Sequence, residues 1–424
     1  MIRQIAAVGV LVCSLPLPAA AAAPPTPAAP VAVTLAASGA TALPGLAQVD
    51  SGTTQNGCQK GSSVTSSAIP WAQTFLRPDE VWSLTEGAGV TVAVVGSGVD
   101  DTSGALAGRL TIGARAWGRT TSAEDCVGHG TFVSGLIAAG RRVGVGFAGI
   151  APEANVLAVG VTDQTGVTTA AVLAIGIRTA AEDGARVIDI AVPAQISSPA
   201  LIGAVRFAQA AGALIVAPAA LDGDQSAGQG AVYPAAYPEV LSVSGLGPGG
   251  APSQQRSSGG GPVDLTAPGD SVMSIGPAGT GYFTASGPSF AAAFVAGAAA
   301  LTLGYRPYLT APQLLHRLEA TANHPGTTMP DSQLGYGTID PVAAVTAFVP
   351  GENGQRVPLP PAPPRRPMPR LAVVDTSAGR VPALMVSGTA LSVVLGVVAL
   401  GVVLPLGRRR GWSPGRYSGP AGEP

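Results

Sequence analysis

Charge is what this chain has least of: across 424 residues only 11% are Asp, Glu, Lys or Arg, against roughly 25% in ordinary soluble domains. The 23 basic and 24 acidic residues leave a net charge of −1, and Lys60 is the only lysine. Nothing resembles the basic stripe that phosphate contacts need, so a nucleic-acid partner is excluded. Aromatic residues stand at only 4%, so any core must be filled with Ala, Val, Leu and Ile. The three histidines and the acidic residues show no ligand spacing, so no metal and no cofactor is expected. What is abundant is apolar or conformationally special: 46% hydrophobic residues, 58 Gly and 39 Pro. Such hydrophobicity argues against disorder over most of the chain. The length allows one large domain with appendages or two ordinary ones.

Two apolar runs lie near the ends. Arg3 precedes an uncharged stretch from Ile5 to Leu17, then Pro18 and an alanine run to Ala23. A positive start, an apolar stretch too short to span a bilayer and a small-residue site read as a secretory signal peptide over 1–23. The second run, Ala383 to Leu406, carries no charge and is followed by Arg408-Arg409-Arg410. It is long enough to cross a hydrocarbon core of about 30 Å. The arginines keep the tail 407–424 in the cytoplasm and place Ala23 to Pro382 outside, giving a single-pass protein of the cell membrane. Loss of Cys13 with the signal peptide leaves Cys58 and Cys126, which in an exported chain are expected to form a disulfide.

Between the apolar runs the composition shifts twice. Residues 24–70 are rich in Pro, Ala, Ser and Gly and read as an extension. Residues 350–382 include Pro358-Leu359-Pro360-Pro361-Ala362-Pro363-Pro364, a semi-rigid spacer. Residues 71–349 carry the periodic pattern. Thr91 to Val95, Val187 to Val192 and Leu214 to Ala217 read as buried strands. Gly130 to Gly140, Thr168 to Gly184, Pro199 to Ala211, Ser289 to Tyr305 and Ala311 to Ala322 read as helices. Strands alternating with helices predict an α/β domain with a mostly parallel sheet covered on both faces.

Three segments carry the chemistry. Val94-Val95-Gly96-Ser97-Gly98 ends the first strand, Gly128-His129-Gly130-Thr131 opens a helix, and Gly287-Pro288-Ser289 opens another. A Ser at a helix start has unpaired backbone N–H groups beside it, which suits a developing oxyanion, and His129 is placed to act as its base. In this order the segments resemble the subtilisin-like serine proteases, over about Trp71 to Val349. Tyr233-Pro234-Ala235-Ala236-Tyr237-Pro238-Glu239, Ala267-Pro268-Gly269-Asp270 and Gly335-Tyr336-Gly337-Thr338 add to the match. With the signal peptide, the cysteine-bearing extension, Asp125-Cys126, the Pro-rich spacer and the C-terminal span, the chain is most similar to the mycosins. These are membrane-anchored subtilases of type VII secretion systems. The resemblance implies a three-layer, doubly wound, mostly parallel sheet plus one C-terminal transmembrane helix, and a secretion membrane complex as partner.

The sequence departs from that family where the chemistry is most demanding. The triad acid belongs at Gly96, and the oxyanion Asn falls on Leu221, after Leu214-Ile215-Val216-Ala217. Asp100, Asp101, Glu124 and Asp125 are the carboxylates that could stand in for the acid. His316 and His324 are read as structural. The expectation is a catalytically impaired protein that keeps the subtilase shell for assembly, with a cleft able to hold an extended peptide. The alternative is an active endopeptidase using Ser289 and His129 on exported proteins.

Overall fold

Most strands of this protein are four to six residues long and buried on both faces, so apolar runs rather than alternation mark them. In the computed structural model the described residues are 43–46, 58–116, 121–223, 230–253, 261–326, 328–350 and 352, with 395–398, 401, 405–407 and 409–411. Strands β1 (Thr91–Gly96), β2 (Leu110–Ile112), β3 (Asn155–Gly160), β4 (Val187–Ile190), β5 (Leu214–Pro218), β6 (Leu241–Leu246) and β7 (Leu265–Pro268) form one sheet. Its order is β2-β3-β1-β4-β5-β6-β7, and every neighbouring pair is parallel. A separate antiparallel pair, β8 (Val272–Ile275) and β9 (Tyr282–Ala285), follows.

Alternation along each strand splits the core in two. Val92 and Val94 face one cluster with α2 (His129–Ala138) and α5 (Pro288–Tyr305), while Ala93 and Val95 face another with α3 (Ala170–Glu182) and α4 (Pro199–Ala210). The result is the expected three-layer α/β sandwich. Helix starts follow local chemistry. The hydroxyls of Thr169 and Ser198 accept from the N–H groups of Val172 and Leu201 at the starts of α3 and α4. Thr310 and Gln313 make a reciprocal capping box on α6 (Ala311–Ala320), and Asp340 caps α7 (Pro341–Thr346). Each satisfies an N–H that the helix cannot. The first short helix, α1 (Trp71–Leu76), opens the folded domain.

Helix α5 is buried from Pro288 to Leu303. Among the described residues it is the one helix long and apolar enough to cross a membrane, yet it lies inside the fold. It is a core helix, built from alanines that let strands and helices approach closely. The expected signal peptide 1–23 lies outside the described residues, as do most of the expected span 383–406 and of the spacer 350–382. Residues 395–398 within that span are helical.

The extension is fastened to the domain. Cys58 and Cys126 are joined by a disulfide, with their Cα atoms 4.4 Å apart. Ser62 and Val64 carbonyls accept from Gly281 and Tyr282, and the Ser66 carbonyl accepts from Gly146. Farther back, Leu46 N–H donates to Thr284 and Thr284 N–H to Pro44.

Candidate active site

The parallel sheet changes winding direction at β1, flanked by β3 and β4. The crevice outside the carboxyl ends of such strands is where α/β folds place ligands. Gly96 ends β1, Ala191 follows β4, and Asp222 follows β5, so three loops converge there. His129 enters from the first turn of α2. Its N-cap, Gly128, has φ of 80°, the left-handed region, and Pro277 packs where a Cβ would stand, so glycine is required. Ser289 enters from the first turn of α5, preceded by Pro288, which needs no N–H partner at a helix start.

The fold brings His129 and Ser289 together. His129 Nε2 lies 3.0 Å from Ser289 Oγ, and the two residues are 2% and 1% exposed. Phe290 packs against the imidazole with ring centroids 5.1 Å apart, and Phe132 packs behind Phe290 at 4.8 Å. The ring is thus oriented by packing.

No carboxylate stands at the expected acid position. Gly96 bears no side chain, and a Cβ built there would come 2.9 Å from the Cβ of Ala191. His129 Nδ1, the nitrogen such an acid would hold, is buried without a hydrogen-bond partner among the described residues. The four carboxylates considered as substitutes are engaged or turned elsewhere. Asp125 accepts from Gly128 N–H at 2.8 Å and from Thr131 N–H and Oγ1–H, both at 2.7 Å, so it caps α2. Burial pushes its carboxyl above the usual range, against these hydrogen bonds. Asp100 accepts from Thr102 and Ala278 N–H, Asp101 accepts from Leu106 N–H, and Glu124 is exposed.

A carboxylate with no counterpart among the expected site residues does reach the site. Asp222 Oδ2 lies 2.8 Å from His129 Nε2 and accepts from Ser289 Oγ–H at 2.5 Å, while Oδ1 accepts from Ser289 N–H at 3.1 Å. Asp222, the residue after Leu221, is the one whose side chain faces Ser289. The β5 loop aims residue 222 at Ser289, and Leu221 instead packs toward the second core cluster and lines a cleft. The motif stopped one residue short because residue order fixes only a neighbourhood, whereas the turn after β5 decides which side chain faces inward. Gly287 makes room, since a Cβ there would overlap Asp222 Oδ1.

The contacts define the protonation pattern. Ser289 gives its one hydroxyl proton to Asp222, so His129 Nε2 faces two oxygens that both present lone pairs to it. A ring carrying the proton on Nε2 suits that arrangement, and an Nε2–H nitrogen cannot accept the serine proton. A triad requires the acid on the opposite nitrogen. Asp222 therefore does not replace it.

A cleft of about 300 Å³ opens beside these residues, walled by Val167, Ala191, Pro193, Ile196, Leu221 and Asp222. Val167 and Ile196 on its rim are 41% and 74% exposed, leaving an apolar recess beside the serine. His316 is exposed, and a ring nitrogen of His324 contacts the Tyr336 carbonyl, away from the site. Among the described residues no three His, Cys, Asp or Glu side chains converge as metal ligands.

The sequence of residues 87–337, more than half of the chain, matches the model of the subtilase family, Peptidase_S8. Mycosin-1 of Mycolicibacterium smegmatis is 32% identical over 389 residues, covering 78% of this chain and 84% of that relative. The chain is a subtilase of the mycosin group. Mycosin-4 of Mycobacterium tuberculosis shares 34% over 387 residues, covering 81% of this mycosin and 82% of its own length. The crystal structure of MycP1 from the ESX-1 type VII secretion system superposes with a TM-score of 0.60 at 30% identity, over 69% of this mycosin and 90% of that chain. The subtilisin-like fold is shared.

Proposed function

We propose that this mycosin is an extracytoplasmic component of a type VII secretion complex that acts by assembly and binding, with peptide-bond hydrolysis impaired. The observation that carries this is the state of His129: Nε2 is engaged by Asp222, and Nδ1 has no acceptor. Neither nitrogen is set up as in a working triad, and loss of the acid alone costs about 3 × 10⁴ in kcat in subtilisin. The secretion role is supported by the relatives, which include proteins of the ESX-1 and ESX-3 type VII systems. In this reading residues 1–23 export the chain and 24–70 wrap the domain of 71–349. Residues 350–382 space it from the membrane, 383–406 anchor it, and 407–424 lie in the cytoplasm. The apolar cleft holds an extended peptide without cutting it.

A second reading, hydrolysis of exported proteins by Ser289 with His129, is favoured by their 3.0 Å contact. The two separate in a deletion strain of the native host complemented with wild type or Ser289→Ala. The assembly reading expects equal export of type VII substrates. Loss of export with Ser289→Ala, at normal protein abundance, overturns it in favour of hydrolysis.

A further inference from the structure

We propose that Asp222 is a built-in carboxylate ligand of the nucleophile site, which holds Ser289 unreactive by occupying the position where an oxyanion would form. The inference rests on the reading of impaired hydrolysis and names the residue that sets the resting reactivity. Its basis is the full donor set around one carboxylate. Ser289 N–H is the backbone donor that a helix start offers to an oxyanion, and it is bound to Oδ1 at 3.1 Å. Ser289 Oγ–H and His129 Nε2 converge on Oδ2 at 2.5 and 2.8 Å. Together they bind a carboxylate as they would bind the carboxylate of a cleaved peptide, except that the ligand belongs to the same chain. The side chain of Asp222 is only 10% exposed and that of His129 2%, so water screens this arrangement little. Gly287 fits the same arrangement, because any side chain at 287 would overlap Asp222.

Three consequences follow for chemistry at Ser289. Its proton is directed away from the imidazole. Its backbone donor is already taken. A carbonyl or phosphoryl oxygen entering the site meets a carboxylate of like charge instead of a donor. Replacing the carboxylate by an amide of the same shape reverses the last, because the charge is gone and the Asn NH₂ group donates where the carboxylate could only accept.

The test is the rate at which a fluorophosphonate modifies Ser289 in the purified full-length chain, followed by intact mass. In that reaction the Ser289 Oγ–P bond forms, fluoride leaves and the serine proton is released with it. Ser289→Ala supplies the blank. Asp222→Asn is expected to react at least about tenfold faster than wild type, a fraction of the roughly 10²–10³ that one oxyanion donor is worth. Asp222→Ala, which removes the charge without adding a donor, is expected to gain less than Asp222→Asn but still exceed wild type. Circular dichroism shows which variants are folded, and either one alone decides the matter. Rates equal to wild type overturn the proposal. Lower rates also overturn it, and would mark Asp222 as the base that activates Ser289. These failures leave the assembly reading standing. Wild type labelled as fast as an active subtilase removes the impaired-hydrolysis reading itself, before any variant is compared.

Discussion

Restoring an acid at position 96 is the sharpest perturbation of the hydrolytic machinery, and the structure shows why Gly96→Asp by itself falls short. The new Cβ would stand 2.9 Å from the Cβ of Ala191, inside normal contact distance. Overpacking of this kind costs about 1–3 kcal/mol. Ala191→Gly removes the obstructing atom. With it, the introduced carboxylate can accept from His129 Nδ1, which is buried and unpartnered in the wild type. That bond would place the imidazole proton on Nδ1 and free Nε2 to take the proton of Ser289. A triad acid contributes about 3 × 10⁴ in rate in subtilisin, or about 6 kcal/mol at roughly 1.36 kcal/mol per tenfold. Asp222 still contacts Nε2 and the Ser289 N–H, so only part of this is recovered. We expect Gly96→Asp to gain less than about tenfold in kcat/KM and to melt at lower temperature. The Gly96→Asp, Ala191→Gly pair should gain about 10² or more. The assay is release of a chromophore from a peptide with an apolar residue before the scissile bond, suited to the apolar recess, with Ser289→Ala as blank. Full activity from Gly96→Asp alone would refute the packing argument. No gain from the pair would refute the claim that the missing acid limits the rate.

Two further predictions concern the scaffold. Arg317 is fully buried, donating to the Ala344 and Ala347 carbonyls and pairing with Glu352 at 2.9 Å. Arg317→Met strands that carboxylate and both carbonyls, at a cost of about 3–5 kcal/mol, and should lower the melting temperature by about 10 °C; a change under about 2 °C would show, on the scale of about 2–4 °C per kcal/mol, that the cluster holds nothing. Asp189 on β4 is buried, neither carboxylate oxygen has a hydrogen-bond partner among the described residues, and burial raises its pKa well above the ordinary 3.8. In the folded state it holds its proton at pH values where the unfolded chain has released it, so it lowers stability as pH rises from 3.8 toward its folded value. Denaturant titrations across that range should show Asp189→Asn losing less stability with rising pH than wild type, and parallel pH curves would contradict this.

The fold was legible because burial on both faces leaves a strong mark on short segments. The apolar runs now seen as β1, β4 and β5, and the capped helices α3, α4 and α6, begin and end within a few residues of where composition places them. The strands β6 to β9 were harder to read, since Leu241–Leu246 and Leu265–Pro268 mix small, polar and apolar residues. Their strand state comes from sheet neighbours. Helix α5 shows the converse problem. Its run of alanines satisfies the length and hydropathy of a membrane span, and only its burial between the sheet and α2 identifies it as core.

At the site the division falls between adjacent residues. The sequence alone determined that His129 and Ser289 open two helices, that position 96 has no carboxylate, and that no metal-ligand spacing exists. These depend on residue identity and order, which no folding can alter. The tertiary structure decided that Asp222, and not Leu221, faces Ser289, and that Asp125 is consumed in capping α2. It also decided that Ala191 fills the space beside Gly96. Each of those outcomes depends on the direction of a side chain leaving a turn, and a rotation of one residue exchanges an apolar wall for a charge. The contacts of the serine therefore include a side chain, Asp222, from the turn after β5, which carries no periodic signal.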